Sequence, residues 1–198
     1  MFDTVLIAGL GLMGGSMAKT IKARTLSRVL GWNRTRATAE QALADGSIDA
    51  IATEALYKEA DLVIIGLYPQ ATVDWLLENM PKMKKGCVIV DMVGVKQFMV
   101  DHLEQAALDA GVHYVGGHPM AGREFSGLDF ALPTLFDGAS MIFVPTKSST
   151  ERVLEQLEAY FMSLGFGQTV RCTAQQHDHM IAFTSQLAHV VSSAYIKS

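Results

Sequence analysis

An open α/β sheet, doubly wound and mostly parallel, is the fold class that three features of the sequence predict. Short apolar runs alternate with amphipathic stretches from the first residues onward. The first of those runs breaks into a cluster of glycines that opens a helix. After Cys172 the alternation stops and one long amphipathic stretch replaces it. Strands that alternate with helices imply right-handed crossovers and a sheet covered on both faces. Of the 198 residues, 49% are hydrophobic and 18% charged, which supplies a large core and excludes a disordered chain.

The first strand, "TVLIAG" at 4–9, is a continuous apolar run ending in glycine, as expected of a strand buried on both faces. Further strands are predicted at 28–33, 61–67, 87–92, 113–117 and 140–145, with a weaker one at 167–172. Between them, helical patterns cover 13–25, 35–45, 71–80, 96–110 and 150–164. From Thr173, whose spacing to Gln176 suggests a capping box, the chain reads as one long helix. At about 100° per residue, Asp178, Ser185, His189 and Ser192 share one polar line. Met180, Phe183, Leu187, Val190, Val191 and Ala194 cluster opposite and need a partner. The predicted division is 1–172 as a sheet domain and 173–198 as the first helix of a truncated, all-helical second domain.

Several function classes are excluded at this level. A net charge of −4 gives no basic footprint, so nucleic acid is not expected as a partner. No uncharged apolar stretch would span a bilayer, and four glycines between Gly9 and Gly15 spoil the N-terminal run as a signal peptide. A soluble, cytoplasmic protein is expected. Cys87 and Cys172 form no CxxC pair and read as structural thiols of a reducing compartment. His177 and His179 are two apart, which splays them on a helix, so no metal site is expected.

The chemistry gathers at strand ends. "GLGLMGGS" fits G-x-G-x-x-G with Gly9, Gly11 and Gly14, after a strand and before a helix, which makes the sheet Rossmann-type. Gly9 serves the tight turn, Gly11 the approach of a pyrophosphate, and Gly14 close packing of helix on strand. The free N–H groups at the helix start, from Leu12 and Met13 onward, would hold the phosphates. At the end of the second strand, Asn33 stands where an NAD-preferring protein usually has an acidic residue. Arg34, Thr35 and Arg36 could instead hold a 2′-phosphate, so NADP is favoured over NAD. Leu67, Tyr68 and Pro69 of "GLYPQ" belong to the same edge, as do "DMVGVK" at 91–96 and "GGHPMAG" at 116–122. Ligands of open α/β sheets bind at that edge.

His118 follows a strand on this edge, and Pro119 restricts it to extended backbone. Gly116 and Gly117 would leave room beside it for a nicotinamide or substrate ring. A neutral imidazole there is a natural acceptor for a hydroxyl proton as hydride leaves the carbinol carbon, and histidine titrates near neutrality.

"GLGLMGGS", "GGHPMAGREFSG" and "HDHMIAFTSQLAH", in this order, resemble the prephenate/arogenate dehydrogenase family of tyrosine biosynthesis, over essentially the whole chain. The resemblance implies oxidation of the ring hydroxyl of prephenate or arogenate by a nicotinamide cofactor, with loss of the ring carboxylate as CO2. It identifies His118 with the family's catalytic histidine, and Glu124 and Ser126 with polar residues closing the site. His189 matches the substrate-facing histidine of the helical domain, one turn from Ser185. His177 and Asp178 match a His-Asp pair at the domain junction. Three departures are visible: Val95 replaces a frequent serine, Gln186 and Ala188 replace histidine and proline, and the family's chain continues past Ser198. Those further helices carry a substrate-binding arginine and most of the homodimer contact. Two alternatives are another NADP-dependent hydroxy-acid dehydrogenase and a non-catalytic NADP-binding module. The former commonly uses a helical-domain lysine, whereas Lys197 is the only lysine here after Lys147.

Overall fold

The computed structural model describes residues 2–186, apart from the side chains of 185 and 186. The elements run β1 (Thr4–Ala8), α1 (Leu12–Arg24), β2 (Arg28–Trp32), α2 (Arg36–Ala44), β3 (Ala50–Ile51), α3 (Glu54–Tyr57), β4 (Leu62–Ile65) and α4 (Pro69–Asn79). Then come β5 (Val88–Asp91), α5 (Gln97–Ala110), β6 (His113–Pro119), β7 (Ser140–Pro145), α6 (Glu151–Ser163), β8 (Gln168–Arg171) and α7 (Ala174–Ile181). No helix among the described residues is long and apolar enough to cross a membrane.

The eight strands form one sheet in the order β3-β2-β1-β4-β5-β6-β7-β8. From β3 to β6 every pairing is parallel; β7 runs antiparallel to β6, and β8 parallel to β7. The six-strand part is the dinucleotide-binding order, whose crevice opens where the chain reverses beside β1.

Alternation along the strands divides the core in two. Val5, Ile7, Leu62, Ile64, Val88, Val90 and Val115 meet Met17 and Ile21 of α1 and Leu157 and Phe161 of α6. Leu6, Ala8, Val63, Ile65, Ile89 and Tyr114 meet Val73 and Leu76 of α4 and Met99 and Leu103 of α5. A register slip of one residue would exchange the two sets between faces whose helices are packed for the other set, so fit and not exposure specifies the register. The register is therefore strongly specified.

The sequence places seven strands and five of the helices within two residues of their ends. It misses β3 and α3, which have two and four residues and so show no measurable periodicity. The reversal at β7 has a visible cause. The segment between β6 and β7 contains only a 3-10 turn at Leu128–Phe130, so no helix carries the chain back for a parallel return. That segment is fastened to α1 instead. Leu132 N–H donates to Ser16 Oγ at 3.0 Å, and Thr20 Oγ1 donates to the Pro133 carbonyl at 3.0 Å. Gly15 makes this possible, since a Cβ there would lie 2.6 Å from Leu128.

The capping box at Thr173 is present: its hydroxyl accepts from Gln176 N–H, and the Gln176 side chain accepts from Thr173 N–H. The helix expected from there runs without a break as far as it is described, with a change in hydrogen-bond pitch. It is an α-helix to Ile181 and a π-helical turn over Ala182–Gln186. Met180 and Phe183 are exposed. His189, Ser192 and the rest of the predicted helix lie outside the described residues.

Candidate active site

The crevice is shaped first by missing side chains. Gly9 ends β1 with φ at 94°, a left-handed conformation, and a Cβ on it would lie 2.7 Å from the Gly66 carbonyl oxygen. A Cβ on Gly14 would lie 1.8 Å from the Gly9 carbonyl, so α1 could not approach β1. Gly11 is different: nothing among the described residues lies within 4 Å of where its Cβ would stand, because it opens onto the crevice. Among the described residues no side chain caps α1, which leaves its first N–H groups available to an anion.

Three recesses that share Leu67 and Tyr68 make up the crevice. The first lies between Gly11, Leu12, Met13 and Met92 on one side and Phe125, Ser126 and Gly127 on the other. The second runs from Gly9 past Trp32, Asn33, Arg34 and Thr35 to Asp74, Trp75 and Glu78 on α4. The third holds Pro69, the first residue of α4, with Met92, Val93, Gly94 and Val95. Thus the predicted cofactor residues Gly9, Gly11, Leu12, Met13, Asn33, Arg34, Thr35, Leu67, Tyr68 and Pro69 line one continuous depression, with Gly14 packed behind it.

Asn33 has a specific task. Its Oδ1 accepts from Leu10 N–H at 3.0 Å and its Nδ2 donates to the Thr35 carbonyl at 3.1 Å, so its side chain ties the two loops together. Arg34 and Thr35 are exposed on the crevice wall. Arg36, next along, pairs with Glu40 at 2.8 Å on the surface of α2, outside the residues that line the recess. Asp74 and Glu78 went unnoticed in the sequence, where helix-surface carboxylates carry no distinguishing signal.

His118 sits within β6, paired across the sheet with Ile142, rather than in a loop after the strand. A Cβ on Gly94, in the third recess, would lie 3.7 Å from both Cε1 and Nε2 of His118. The imidazole therefore turns its Nε2 edge toward the loop that borders the crevice. On the opposite edge, Nδ1 lies 2.8 Å from Nε2 of the buried His177. His177 Nδ1 is 2.7 Å from Asp178 Oδ1. Asp178 in turn accepts from Lys96 N–H at 2.8 Å and Gln97 N–H at 2.9 Å, at the start of α5.

Burial, then the neighbouring His177 and Lys96, push the His118 pKa down to about 4. The expectation of titration near neutrality is corrected accordingly: desolvation of the imidazolium outweighs the pull of Asp91 and Asp178. Burial likewise lowers the pKa of His177, and Asp178 is lowered despite its own desolvation because backbone N–H groups and His177 bond its carboxylate.

Beneath His118 is a fully buried charged cluster. Lys96 Nζ pairs with Asp91 Oδ1, and Tyr114 O–H donates to Asp91 Oδ2 at 2.7 Å. Desolvation lowers the Lys96 pKa and raises that of Tyr114 well above its ordinary value. Gly116 and Gly117 make room for this cluster and for the neighbouring strand. A Cβ on Gly116 would lie 3.0 Å from the Lys96 side chain, and one on Gly117 2.3 Å from the Asp91 carbonyl. They do not leave space for a ligand ring, as the sequence suggested, because both are buried inside the sheet.

Of the remaining predicted residues, Ser126 lines the first recess, and Glu124 is exposed in the same loop. Phe125 there stacks on Phe130 at 4.7 Å, with the Arg123 guanidinium 5.2 Å from the Phe125 ring centre. Val95 is exposed beside Gly94. The side chain of Ser185, and His189 as a whole, lie outside the described residues. Among the described residues, no three His, Cys, Asp or Glu side chains converge as metal ligands would.

Residues 17–168 match the prephenate dehydrogenase nucleotide-binding domain. The chain is 33% identical to a prephenate dehydrogenase of Bacillus subtilis, across 99% of this chain and 53% of that protein. Among solved structures, it is similar to prephenate dehydrogenase from A. aeolicus in complex with hydroxyphenyl propionate and NAD+. That match has 25% identity and a TM-score of 0.90, over 100% of this chain and 69% of the other. Synechocystis arogenate dehydrogenase has 27% identity and a TM-score of 0.88, covering 98% and 68%. The chain spans between about half and two thirds of the length of the curated relatives it matches. On its nucleotide-binding match and its near-complete alignment with these relatives, the chain belongs to the prephenate/arogenate dehydrogenase family.

Proposed function

We propose that this chain carries the cofactor crevice and the proton-accepting histidine of an NAD(P)-dependent dehydrogenase acting on prephenate or arogenate, with NADP preferred. The observation that carries the reading is the placement of His118 Nε2 toward Gly94, at the border of the glycine-shaped crevice. The residues present fit a dinucleotide. Gly11 is open, α1 is uncapped, and Trp32, Trp75 and Tyr68 offer flat apolar surface for an adenine.

Bound in the crevice, the nicotinamide ring supplies the chemistry of accepting hydride from the carbinol carbon. His118 Nε2 accepts the hydroxyl proton as that hydride departs, and returns it to the same oxygen as the bond to the ring carboxylate breaks. CO2 leaves, the ring becomes a phenol, and no net proton is released. Aromatisation drives the cleavage, so no separate decarboxylating group is needed. A low His118 pKa keeps the imidazole neutral and able to accept throughout the physiological range.

The NADP preference rests on Arg34 and Thr35 at the wall, where Asn33 brings no charge to repel a 2′-phosphate. Asp74 and Glu78 face the same recess and oppose it, which limits the preference to a moderate one. Glu124, Ser126, Ser185 and His189 are assigned to substrate, and the helical part that begins at Thr173 to the homodimer contact. A panel of NADP against NAD and prephenate against arogenate, followed by absorbance of the reduced cofactor, tests the reading. Turnover with one of the two substrates and faster rates with NADP are expected. Dinucleotide binding without oxidation of either substrate by the longest natural form of the chain would establish a binding module instead.

A further inference from the structure

We propose that His177 and Asp178 form a relay that fixes His118 in its Nδ1–H tautomer and leaves Nε2 as the bare acceptor. The inference rests on the dehydrogenase reading for its role in turnover, but its geometry stands apart from it. Asp178, held by the two N–H groups at the start of α5, is a carboxylate and can only accept. His177 Nδ1, 2.7 Å away, must therefore donate to it. In a neutral imidazole the other nitrogen then carries the lone pair, so His177 Nε2 accepts. The atom facing it at 2.8 Å is His118 Nδ1, which must carry the proton. Only Nε2 of His118 remains to accept, and it is the nitrogen beside Gly94.

The sense of the chain matters because a histidine side chain free in water favours the opposite, Nε2–H tautomer, which would present a donor to the substrate hydroxyl. Burial keeps His177 neutral, as the relay requires. The charged groups around His118 are Asp178 on α7, Asp91 on β5 and Lys96 at the head of α5. Lys96 and Asp91 are paired with each other, and among the described residues Asp178 is the carboxylate joined to His118 through a chain of hydrogen bonds. As Nε2 takes a proton, the imidazolium is stabilised through Nδ1–H, His177 and Asp178. His177 and Asp178 are positioning residues in this scheme, since they act through His118.

The tautomer can be read without turnover. With the full chain labelled with 15N in its imidazoles, long-range proton–nitrogen correlation at neutral pH should give His118 a protonated Nδ1 and an unprotonated Nε2. A protonated Nε2 would overturn the relay, whatever the enzyme does. In His177→Phe, His118 should revert to Nε2–H, and turnover should fall about 100-fold with KM nearly unchanged. His177→Gln, whose amide oxygen still accepts from Nδ1–H, should keep the tautomer and recover at least about tenfold of that loss. Equal losses in the two variants with an unchanged His118 tautomer would reduce His177 to a packing residue. The native tautomer in a chain that oxidises neither substrate would sustain the relay and reject the dehydrogenase reading.

Discussion

The two ends of the crevice are built by opposite means. At the dinucleotide end the working groups are backbone, and the sequence contributes mainly by withholding side chains at Gly9, Gly11 and Gly14. At the His118 end the working group is one nitrogen, held by side chains from β5, α5 and α7 that are mostly buried. The glycine fingerprint of the first end is a local stretch of six residues. The second is assembled from residues up to 82 positions apart. Steric permission is cheap to encode and close in sequence, whereas a poised base needs a shell of partners from distant elements.

The largest expected effect separates the two ends cleanly. His118→Asn should lower turnover by about 10²–10⁴-fold while leaving NADPH affinity within twofold, measured by fluorescence titration. Parallel loss of both would show that the strand end, not the imidazole, matters. Next comes Lys96→Met, which leaves Asp91 buried and unpaired. Removing one partner of a buried pair costs about 3–5 kcal/mol, to be read from urea unfolding. A loss below about 1 kcal/mol would mean that the cluster under His118 is hydrated.

Gly11→Ala sharpens the contrast from the other side. Its new methyl enters open space, so the melting temperature should stay put while dinucleotide affinity drops about tenfold or more. A drop in both would assign Gly11 to folding. Acidification probes the His118 end again. With a folded pKa near 4 against an ordinary 6.5, the unfolded chain binds the extra proton between those values. By linkage, stability should be full above about pH 6.5 and fall as pH drops toward 4. The acid limb of kcat/KM should lie well below 6.5 for the same reason. Thr173→Ala, which removes the cap of the helix bearing His177, is the mildest, at about 1 kcal/mol by thermal unfolding.

What the sequence revealed follows this same division. Apolar runs and amphipathic periods are local, so β1, β2, β4 and α1 were legible to within a residue or two. The glycine fingerprint was equally plain, since Gly9 and Gly14 are demanded by carbonyls close by and Gly11 opens onto the crevice. His118 could be singled out, and its partners could not. Nothing at His177 announces that it will meet a residue 59 positions earlier. Lysine is ordinarily a surface residue, so the complete burial of Lys96 was invisible without its partner Asp91. Gly116 and Gly117 looked like room for a ligand because a sequence does not say which neighbour will take the space.

The capping of α5 by Asp178 has one more consequence, for a chain leaving the ribosome. His118 emerges 59 residues ahead of His177, by which time β1 through β6 and the crevice glycines are already outside the tunnel. A nascent protein can thus close around its dinucleotide while its imidazole is still untethered. The tether of His118 is completed only when α7, translated after β6, docks against α5.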